Sequence, residues 1–561
     1  MFGRFASFLC VLMTSVVWAQ NGSLSGIIRD PSGAPVPEVR LEIVNRATSA
    51  KLQVSTNTDG LFVFASLIPG AYELTANKEG FAPAKAADLR IEVAQTKTLN
   101  LTLPLSTVQE SIAVTDVAAL LVVDRADRSA AFESKFVQSV PLNVRNPLQL
   151  VNYTPGVIQG GSGFGTSGTN TATNTLTNSF RINGGRAATN EVLLDGAANT
   201  TAFSNQTAGL PQVDAVQEFR VLTSPYAPEY GRTSGGVISF GLRSGTNQFH
   251  GSAHHFLRNS VLDSNGFNAN RAGRPRQQLQ RNQFGGVFSG PVWIPKLYNG
   301  RNKTFFFFGY EGLRERQAGS FLGTVPTELE RRGDFSQTRD VTGPLIQMFD
   351  PATTRLDPTA PAGTTRFVRD LFPGNIVPGN RIQRIGQNLL SFYPTPNQPG
   401  RGQSSVENFF SAAPSQSDQN RVDLKIDHAL ASKHQIMGRY NWYKNENRIP
   451  SPYGNVASPS TSNSLPGASI QGRHTWTIGP RDLFEHHFVY GYSESGRTTP
   501  GAGFDPLQLG FAPSAVTGIR VPAFPAITAN RLSPTGLAVL AVSSNRPEVY
   551  QYRAAFTRLR G

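Results

Sequence analysis

The sequence predicts a mainly β protein, with a small N-terminal β-sandwich, a mixed α and β middle region and a final run of antiparallel strands. Only 16% of the residues are charged, and the chain holds 54 Gly and 38 Pro. This balance favours strands joined by turns over long amphipathic helices. Beyond the N-terminus the chain has no run of about 18 unbroken apolar residues, which excludes a helical membrane protein but leaves membrane-spanning strands open.

Residues 1–19 have the pattern of a cleaved secretory signal peptide. Arg4 precedes an apolar stretch over Phe5 to Val17, and Trp18-Ala19 provides a small residue at the expected cut. The alternative is a buried N-terminal helix. Cys10 is the only cysteine and lies inside the apolar stretch, so we expect the mature chain to have neither disulfides nor thiolate metal ligands.

Residues 20–105 read as short strands at close spacing, which predicts a β-sandwich. Turn sequences such as Asp30-Pro31-Ser32-Gly33 and Thr58-Asp59-Gly60 separate the strands. The segment from Gly26 to Pro37, together with Leu67-Ile68-Pro69-Gly70-Ala71-Tyr72, resembles the carboxypeptidase regulatory-like domain. The resemblance implies a non-catalytic module, either a structural spacer or a domain that binds a glycan or a protein partner.

The middle region, residues 106–245, has a Gly/Asn/Thr-rich loop at 160–179 and two better ordered passages. One runs from Phe180 to Gly196 and ends in the tight turn Asp195-Gly196; the other runs from Val216 to Gly251. These passages resemble the plug domain and first barrel strand of TonB-dependent outer-membrane receptors, particularly the Oar-like subgroup. One departure is Val144, which stands where the subgroup tends to have glycine and disfavours a left-handed backbone there.

Residues 246–561 read as part of an outer-membrane β-barrel with about eight strands. Residues 421–427 place every apolar side chain on one face, and residues 470–478 alternate in the same way. The connections between candidate strands are long and short in turn, as in a barrel with long extracellular loops and tight periplasmic turns. Aromatic clusters such as Phe305 to Phe308 suit the membrane interface, with an ordinary apolar core as the alternative.

The resemblance implies a receptor that binds a ligand at extracellular loops and imports it through a plugged barrel, driven by TonB. The expected location is the Gram-negative outer membrane, with the sandwich and plug on the periplasmic side. The alternative is a surface adhesion or signalling protein that the barrel anchors, with a carbohydrate-binding sandwich. Expected partners are the TonB energy-coupling complex, outer-membrane lipid and anionic glycolipid, and a small-molecule, saccharide or peptide ligand.

Two sets of residues are candidate sites. The segment between sandwich and plug resembles a TonB box, a peptide that adds as a strand to TonB; a final strand or linker of the sandwich is the alternative. A buried polar network in the plug would hold it in the lumen, because buried charges and amides need partners. The TonB box comprises Glu110, Ser111, Ile112, Ala113, Val114 and Thr115, and the plug network comprises Arg181, Asn183, Arg186, Asn190 and Asp195.

The charge pattern and the remaining motifs point away from nucleic-acid binding and from catalysis. The net charge of +14 resides in residues 246–561, as dispersed arginines without interleaved stacking aromatics, so no nucleic-acid partner is expected. His250 and His254 share a strand face but lack a carboxylate or cysteine at metal-ligand spacing, and His486 and His487 project to opposite faces. We therefore expect a non-enzyme with no catalytic residues, metal or cofactor.

The resemblance also predicts that the 561 residues are a fragment. Receptors of this family close a barrel of 22 strands, and about eight strands of roughly ten residues each cannot complete it. Unpaired edge amides would then face lipid at a cost of several kcal/mol each. We therefore expect this sequence, expressed alone, neither to insert stably nor to transport.

Overall fold

The predicted mainly β fold is confirmed in a computed structural model of the chain. The structure describes residues 22–93, 95–105, 112–115, 128–140, 142, 145–159, 180–186, 189–200, 209–224, 233–271, 273, 276–361, 363–431, 433–479, 482–537 and 543–558. The predicted signal peptide lies outside these residues. No helix among the described residues is long and apolar enough to cross a membrane.

The N-terminal sandwich consists of two packed sheets. One has the strand order β4-β1-β7, with β8 also pairing with β1, and the other has the order β3-β2-β5-β6-β9. Strand β1 alternates buried and half-buried residues, and its Leu24 and Ile28 pack with Leu41 and Leu74 of the facing sheet in one apolar core. The strands are β1 Gly22–Arg29, β2 Arg40–Asn45, β3 Lys51–Ser55, β4 Leu61–Leu67, β5 Gly70–Asn77, β6 Ala84–Ile91, β7 Thr96–Thr98, β8 Leu101–Thr102 and β9 Ile112–Thr115.

The middle unit, which we call the plug unit (residues 128–242), is a five-stranded sheet with short helices. Its order is β10-β15-β16-β13-β14, and β13 and β16 run parallel. Both strands are buried on both faces, as near-continuous apolar runs require. The strands are β10 Arg128–Glu133, β11 Val157–Gln159, β12 Phe180–Ile182, β13 Glu191–Leu194, β14 Ala197–Ala198, β15 Val216–Ser224 and β16 Val237–Leu242, and the helical segments are Ser134–Ser139, Pro147–Tyr153 and Val213–Ala215.

The third unit is a large antiparallel sheet, which we call the wall sheet. Its main order is β17-β18-β21-β24-β25-β26-β27-β30, so the described strands form an open sheet with β17 and β30 at its two edges. Its strands are β17 His250–Asn259, β18 Leu279–Pro291, β21 Thr304–Gly323, β24 Phe409–Ala431, β25 His434–Arg448, β26 Ser462–Thr477, β27 Asp482–Ser493, β28 Ser495–Thr498, β29 Ser543–Asn545 and β30 Glu548–Arg558. Two separate two-stranded sheets lie in its connections, one of β19 Trp293–Ile294 and β20 Tyr298–Asn299 and the other of β22 Arg355–Leu356 and β23 Phe367–Val368.

Short helical segments punctuate the connections of the wall sheet. They are Ser260–Leu262, Phe267–Arg271, Glu328–Arg331, Pro351–Thr353, Pro373–Asn375, Gly379–Arg381, Arg384–Leu390, Pro506–Leu509 and Pro513–Val516. Segment Glu328–Arg331 begins with a capping box between Thr327 and Glu330.

The two faces of the wall sheet differ in chemistry, as the period-two pattern predicts. In β24, Asp423 and Lys425 are buried on the inner face, whereas Ile426 is exposed on the outer one. In β26, Gln471 and Arg473 are buried, and residues 470 and 476 are exposed. The polar face therefore lies against the rest of the molecule and the apolar face is left open.

The connections of the wall sheet lie alternately at its two ends, and those at one end are the longer set, although 449–461 exceeds 292–303 by only one residue. The long ones are 260–278, 324–408, 449–461 and 494–547, and the short ones are 292–303, 432–433 and 478–481. Three of the long connections pack together around Tyr393, Tyr453, Leu509 and Phe524, which form an apolar cluster with Val325. These loops are thus a folded unit at one end of the sheet, while the short turns lie at the other.

Candidate functional site at the plug and wall interface

The Asp195 carboxylate is the centre of a buried ionic contact between the plug unit and the wall sheet. It lies in the tight turn between β13 and β14, with a left-handed φ of 46°. Its Oδ1 accepts hydrogen bonds from the backbone N–H of Leu242, at 3.0 Å, and from Lys425 Nζ, at 3.2 Å. Arg439 Nη1 lies 3.8 Å from Oδ2. One plug carboxylate therefore faces two cations of the wall.

The contact extends along the inner face of the wall sheet. Lys425 Nζ also donates to the carbonyl of Leu242, at 3.2 Å, and Gln471 Nε2 donates to the carbonyl of Asp195, at 3.1 Å. Burial alone would raise the pKa of Asp195, but the charges of Lys425 and Arg439 outweigh it and hold the pKa below its usual value. The carboxylate is thus ionised and neutralised by the wall.

A second ionic cluster lies at the other edge of the same interface. Plug residues Arg145 and Asp214 pair at 2.7 Å, and wall residue His254 places Nδ1 at 3.0 Å from Asp214 Oδ2. Glu311 of β21 lies 3.3 Å from Arg145 Nε and 3.6 Å from His254 Nε2. Acids and bases alternate around this cluster, and the plug unit and the wall sheet each supply one acid and one base.

Burial and partners act in opposite directions on the plug acid of this cluster. Burial raises the pKa of Asp214. Its hydrogen bond with His254 and the charge of Arg145 together lower the pKa by more than burial raises it, so the net shift is downward. The Arg145 guanidinium also lies 4.8 Å from the centre of the Phe256 ring. Arg145 itself has a left-handed φ of 47°, beside Val144, which lies outside the described residues.

The sandwich is attached to the plug unit through the backbone of Val93. Glu218 and Arg220 project from the same face of β15, because they are two residues apart. Glu218 Oε1 accepts the Val93 N–H at 3.0 Å, and Arg220 Nη1 donates to the Val93 carbonyl at 3.3 Å. Arg220 also donates to Ser129 Oγ, at 2.8 Å. Two side chains of the plug unit therefore hold both backbone polar groups of one sandwich residue.

Burial raises the pKa of Glu218 to about 7; the Val93 hydrogen bond lowers it and the Glu92 charge raises it.

A second contact joins the sandwich to the wall sheet. Asn247 donates its backbone N–H to the Ala47 carbonyl at 3.1 Å and its side-chain amide to the Thr48 carbonyl at 2.9 Å. The sandwich thus lies at the end of the wall sheet where β17 begins.

Of the predicted plug residues, the structure buries Asn190 and Asp195 but leaves Arg181, Asn183 and Arg186 exposed. Asn190 is buried, donates to the Phe180 carbonyl at 2.6 Å and accepts from the Gly236 N–H at 2.9 Å, so it ties together strands within the plug. Asn183 donates to the Thr223 carbonyl at 2.8 Å. Arg181 and Arg186 are exposed, away from the contacts of Asp195.

The predicted TonB box lies partly within the described residues. Glu110 and Ser111 fall outside them. Ile112–Thr115 forms strand β9, which pairs in parallel with β6, with Ala84 opposite Ile112 and Ala87 opposite Thr115. The segment is therefore an edge strand of the sandwich in this structure, as the alternative interpretation of the sequence describes.

The sequence pattern alone did not single out the wall partners of the plug. His254 has no carboxylate near it in sequence, yet Asp214 and Glu311 reach it from two other elements. Lys425 and Arg439 were visible only as polar positions of alternating strands. Among the described residues no group of three or more His, Cys, Asp or Glu could hold a metal ion. The arrangement brings buried charges of opposite sign from the plug unit and the wall sheet together.

Comparison with known proteins gives two family matches. The family described as outer membrane beta barrel domain matches residues 241–561, and the carboxypeptidase regulatory-like domain matches residues 23–104. Over 317 residues the chain is 26% identical to the TonB-dependent transporter Oar of Myxococcus xanthus, which covers 54% of this chain and 27% of that protein.

Two receptors are among the solved structures to which parts of this chain are similar. The siderophore receptor PirA from Acinetobacter baumannii is 12% identical with a TM-score of 0.38, over 76% of this chain and 44% of that chain. The ferric enterobactin receptor PfeA from Pseudomonas aeruginosa is 12% identical with a TM-score of 0.36, over 68% and 44%. This chain therefore spans less than half the length of these relatives.

Proposed function

The chain belongs to the outer membrane beta barrel domain family, and from this premise we propose that it works as a TonB-dependent receptor. In this proposal, extracellular loops bind a small-molecule, saccharide or peptide ligand. The ligand then passes between the plug unit and the wall when TonB displaces the plug. The protein performs no covalent chemistry on its cargo.

The observation that carries the proposal is the ionic character of the plug and wall interface. Asp195 meets Lys425 and Arg439, and Arg145 and Asp214 meet His254 and Glu311, all with little exposure to solvent. Buried ion pairs give little net stability, because desolvation offsets their attraction, but they specify one arrangement. A plug held in this way has one defined position against the wall sheet, and displacing it costs only a modest free energy.

The position of the sandwich supports coupling from the end with short turns. Strand β9, which carries part of the proposed TonB box, pairs with β6, and the chain that follows β6 reaches the Val93 clamp on the plug. An extended edge strand is the form in which a peptide adds to a partner sheet. A pull on this segment therefore acts close to the plug, on the side we assign to the periplasm.

Energy-dependent accumulation tests the proposal. Cells that carry the receptor should accumulate ligand in a way that stops when an uncoupler collapses the inner-membrane proton gradient, while surface binding continues. Panels of glycans, peptides and metal chelates, offered to the purified protein, identify the ligand. Accumulation that is unchanged after uncoupling would contradict the transporter proposal.

A second candidate is a surface adhesion or signalling protein that the wall sheet anchors. The folded unit formed by the long connections favours it, since an aromatic core around Tyr393, Tyr453 and Phe524 gives a stable surface for contact. In that case ligand binding would be insensitive to the uncoupler, and no ligand would appear inside the cell.

A further inference from the structure

The short connection 292–303 carries a β-hairpin whose tip is apolar and exposed. Strands β19 and β20 pair Trp293 with Asn299 and Ile294 with Tyr298. Trp293 is 58% exposed, Ile294 46% and Leu297 79%. Large apolar side chains grouped on a surface in this way mark a contact site.

The base of the hairpin is held firmly, so its exposure is not that of a frayed loop. The Val292 N–H donates to the Thr304 carbonyl at 2.8 Å, and the Gly300 N–H donates to the Val292 carbonyl at 2.8 Å. The Thr304 hydroxyl is hydrogen bonded to Tyr298 and, at 2.7 Å, to Nδ1 of His428 on β24. The tip is thus presented on a rigid base.

The charge of the hairpin is of one sign. Lys296, Arg301 and Lys303 are exposed, residues 292–303 include no Asp or Glu, and no ion pair of these three cations occurs within the described residues. A hairpin with apolar side chains at its tip and cations beside them is typical of a segment that binds the surface of an anionic bilayer. The apolar side chains insert at the boundary between headgroups and acyl chains, and the cations pair with lipid phosphates.

The hairpin also continues an apolar belt on the outer face of the wall sheet. The rings of Phe249 and Phe288 stack at 5.7 Å, and those of Phe288 and Phe306 lie at 5.4 Å, across three neighbouring strands. Phe249 and Phe288 are both about half exposed. The hairpin follows β18 directly beyond this ladder, so the surface that would face lipid extends past the strand ends.

We propose that the hairpin Trp293–Asn299 is a membrane anchor that inserts into the phospholipid leaflet at the end of the wall sheet where the short turns lie. This inference rests on the proposed outer-membrane function and adds a phospholipid partner to it. The anchor would fix the height and tilt of β18 and β21 in the bilayer, and with them Glu311, which contacts the plug.

Single-tryptophan variants of the full-length receptor, which includes these 561 residues, test the anchor. One variant keeps only Trp293 and the matched control keeps only Trp476 of β26, with phenylalanine at the other tryptophan positions. Each is reconstituted into vesicles of phosphatidylethanolamine and phosphatidylglycerol that contain lipids brominated either near the headgroup or near the chain ends. We expect Trp293 to be quenched more by the shallow bromines than by the deep ones.

The outcomes separate the anchor from the function on which it rests. Quenching of Trp476 without quenching of Trp293 would overturn the anchor alone, and shielding of Trp293 from acrylamide in that case would assign the hairpin to a protein contact. Quenching of neither would overturn the membrane placement as well. Changing Lys296, Arg301 and Lys303 to Gln should lower the ratio of inserted to free hairpin by about fivefold per charge.

Discussion

At the scale of single residues, the molecule depends on charges that are neutralised by another unit. Asp195 has its backbone in the left-handed region, which a short polar side chain tolerates, and this turn directs the carboxylate towards Lys425 and Arg439. Glu218 is the contrasting case, since it is buried against a backbone N–H instead of a close cation. The first acid is held ionised, and the second is held partly neutral.

Replacing Asp195 with Asn should loosen the plug. The amide retains the turn and an acceptor for the Leu242 N–H but leaves Lys425 and Arg439 without their counter-charge, and such a loss costs about 3 kcal/mol. Hydrogen exchange of the Val192 and Phe240 amides measures the opening free energy of the plug. The exposed control Arg186→Ala should leave this opening free energy unchanged. Equal protection in the Asp195→Asn variant and the parent would mean that Asp195 only forms the turn and does not hold the plug.

Glu218 should make the junction of sandwich and plug less stable as pH rises. Its folded pKa, about 7, lies above the ordinary 4.5, so the folded state binds more protons and stability falls between these two pH values. The full difference is about 3 kcal/mol. Calorimetry at about pH 5 and about pH 8 should show this slope in the parent and a flatter one in Glu218→Gln. The exposed control Glu79→Gln should keep the parent slope; an unchanged slope in Glu218→Gln would be the contrary result.

At the scale of elements, edge strands and alternating strands have different roles. The strands of the wall sheet have polar side chains on the face that contacts the plug and apolar side chains on the outer face. Each strand therefore contacts the plug on one side and is exposed on the other. Strand β9 pairs with β6 by its backbone over only four residues. A short parallel pairing of this kind is weak, which fits the proposal that this segment adds to TonB as a strand.

Replacing Ile112 with Pro should stop uptake without affecting ligand binding. Proline removes the backbone N–H and cannot take part in a strand ladder, so addition to TonB fails while the loops stay intact. The matched control is Ile112→Ala, which keeps the amide and should transport. Uptake of radiolabelled ligand and binding to whole cells give the two readings. Transport at the parental rate by the Ile112→Pro variant would contradict the assignment of this segment as a TonB box.

At the scale of the whole molecule, the sandwich is joined to both other units by a few polar contacts. Val93 is clamped by Glu218 and Arg220, and Asn247 holds the turn at Ala47 and Thr48. The exposed pair Arg90 and Glu133, at 3.1 Å, adds little, because solvent screens it. The orientation of the sandwich therefore rests on two buried or half-buried points.

Removing the Arg220 contact with Val93 and the Asn247 contact with Ala47 and Thr48 should release the sandwich from the other units while its own core stays folded. In the double variant Arg220→Ala, Asn247→Ala we expect faster hydrogen exchange at the amides of Val93 and Asn247, and unchanged exchange at Leu41 and Leu74 in the sandwich core. The control Arg90→Ala should match the parent. Parental exchange at Val93 in the double variant would mean that other contacts hold the sandwich.

Much of the fold could be predicted from the sequence because strand patterns are local. About eight strands were predicted and the main order of the wall sheet has eight; for residues 421–427 and 470–478 the faces were also predicted, since alternation of period two needs only neighbouring residues. Their ends were predicted less well. Strand β24 begins at Phe409, although only 421–427 alternate clearly, because Phe409–Ser417 has small and aromatic residues that pair with β21 without an apolar pattern of their own.

The sequence by itself determined the mainly β class, the alternating faces and the turn that holds Asp195, since each depends on residues close together in the chain. Only the tertiary structure decided which charges meet. Lys425 reaches Asp195, and Asp214 and Glu311 reach His254, from elements far apart in sequence. Period two shows that a side chain points inwards, but which unit lies opposite, and with which sign of charge, follows from how the wall sheet packs around the plug.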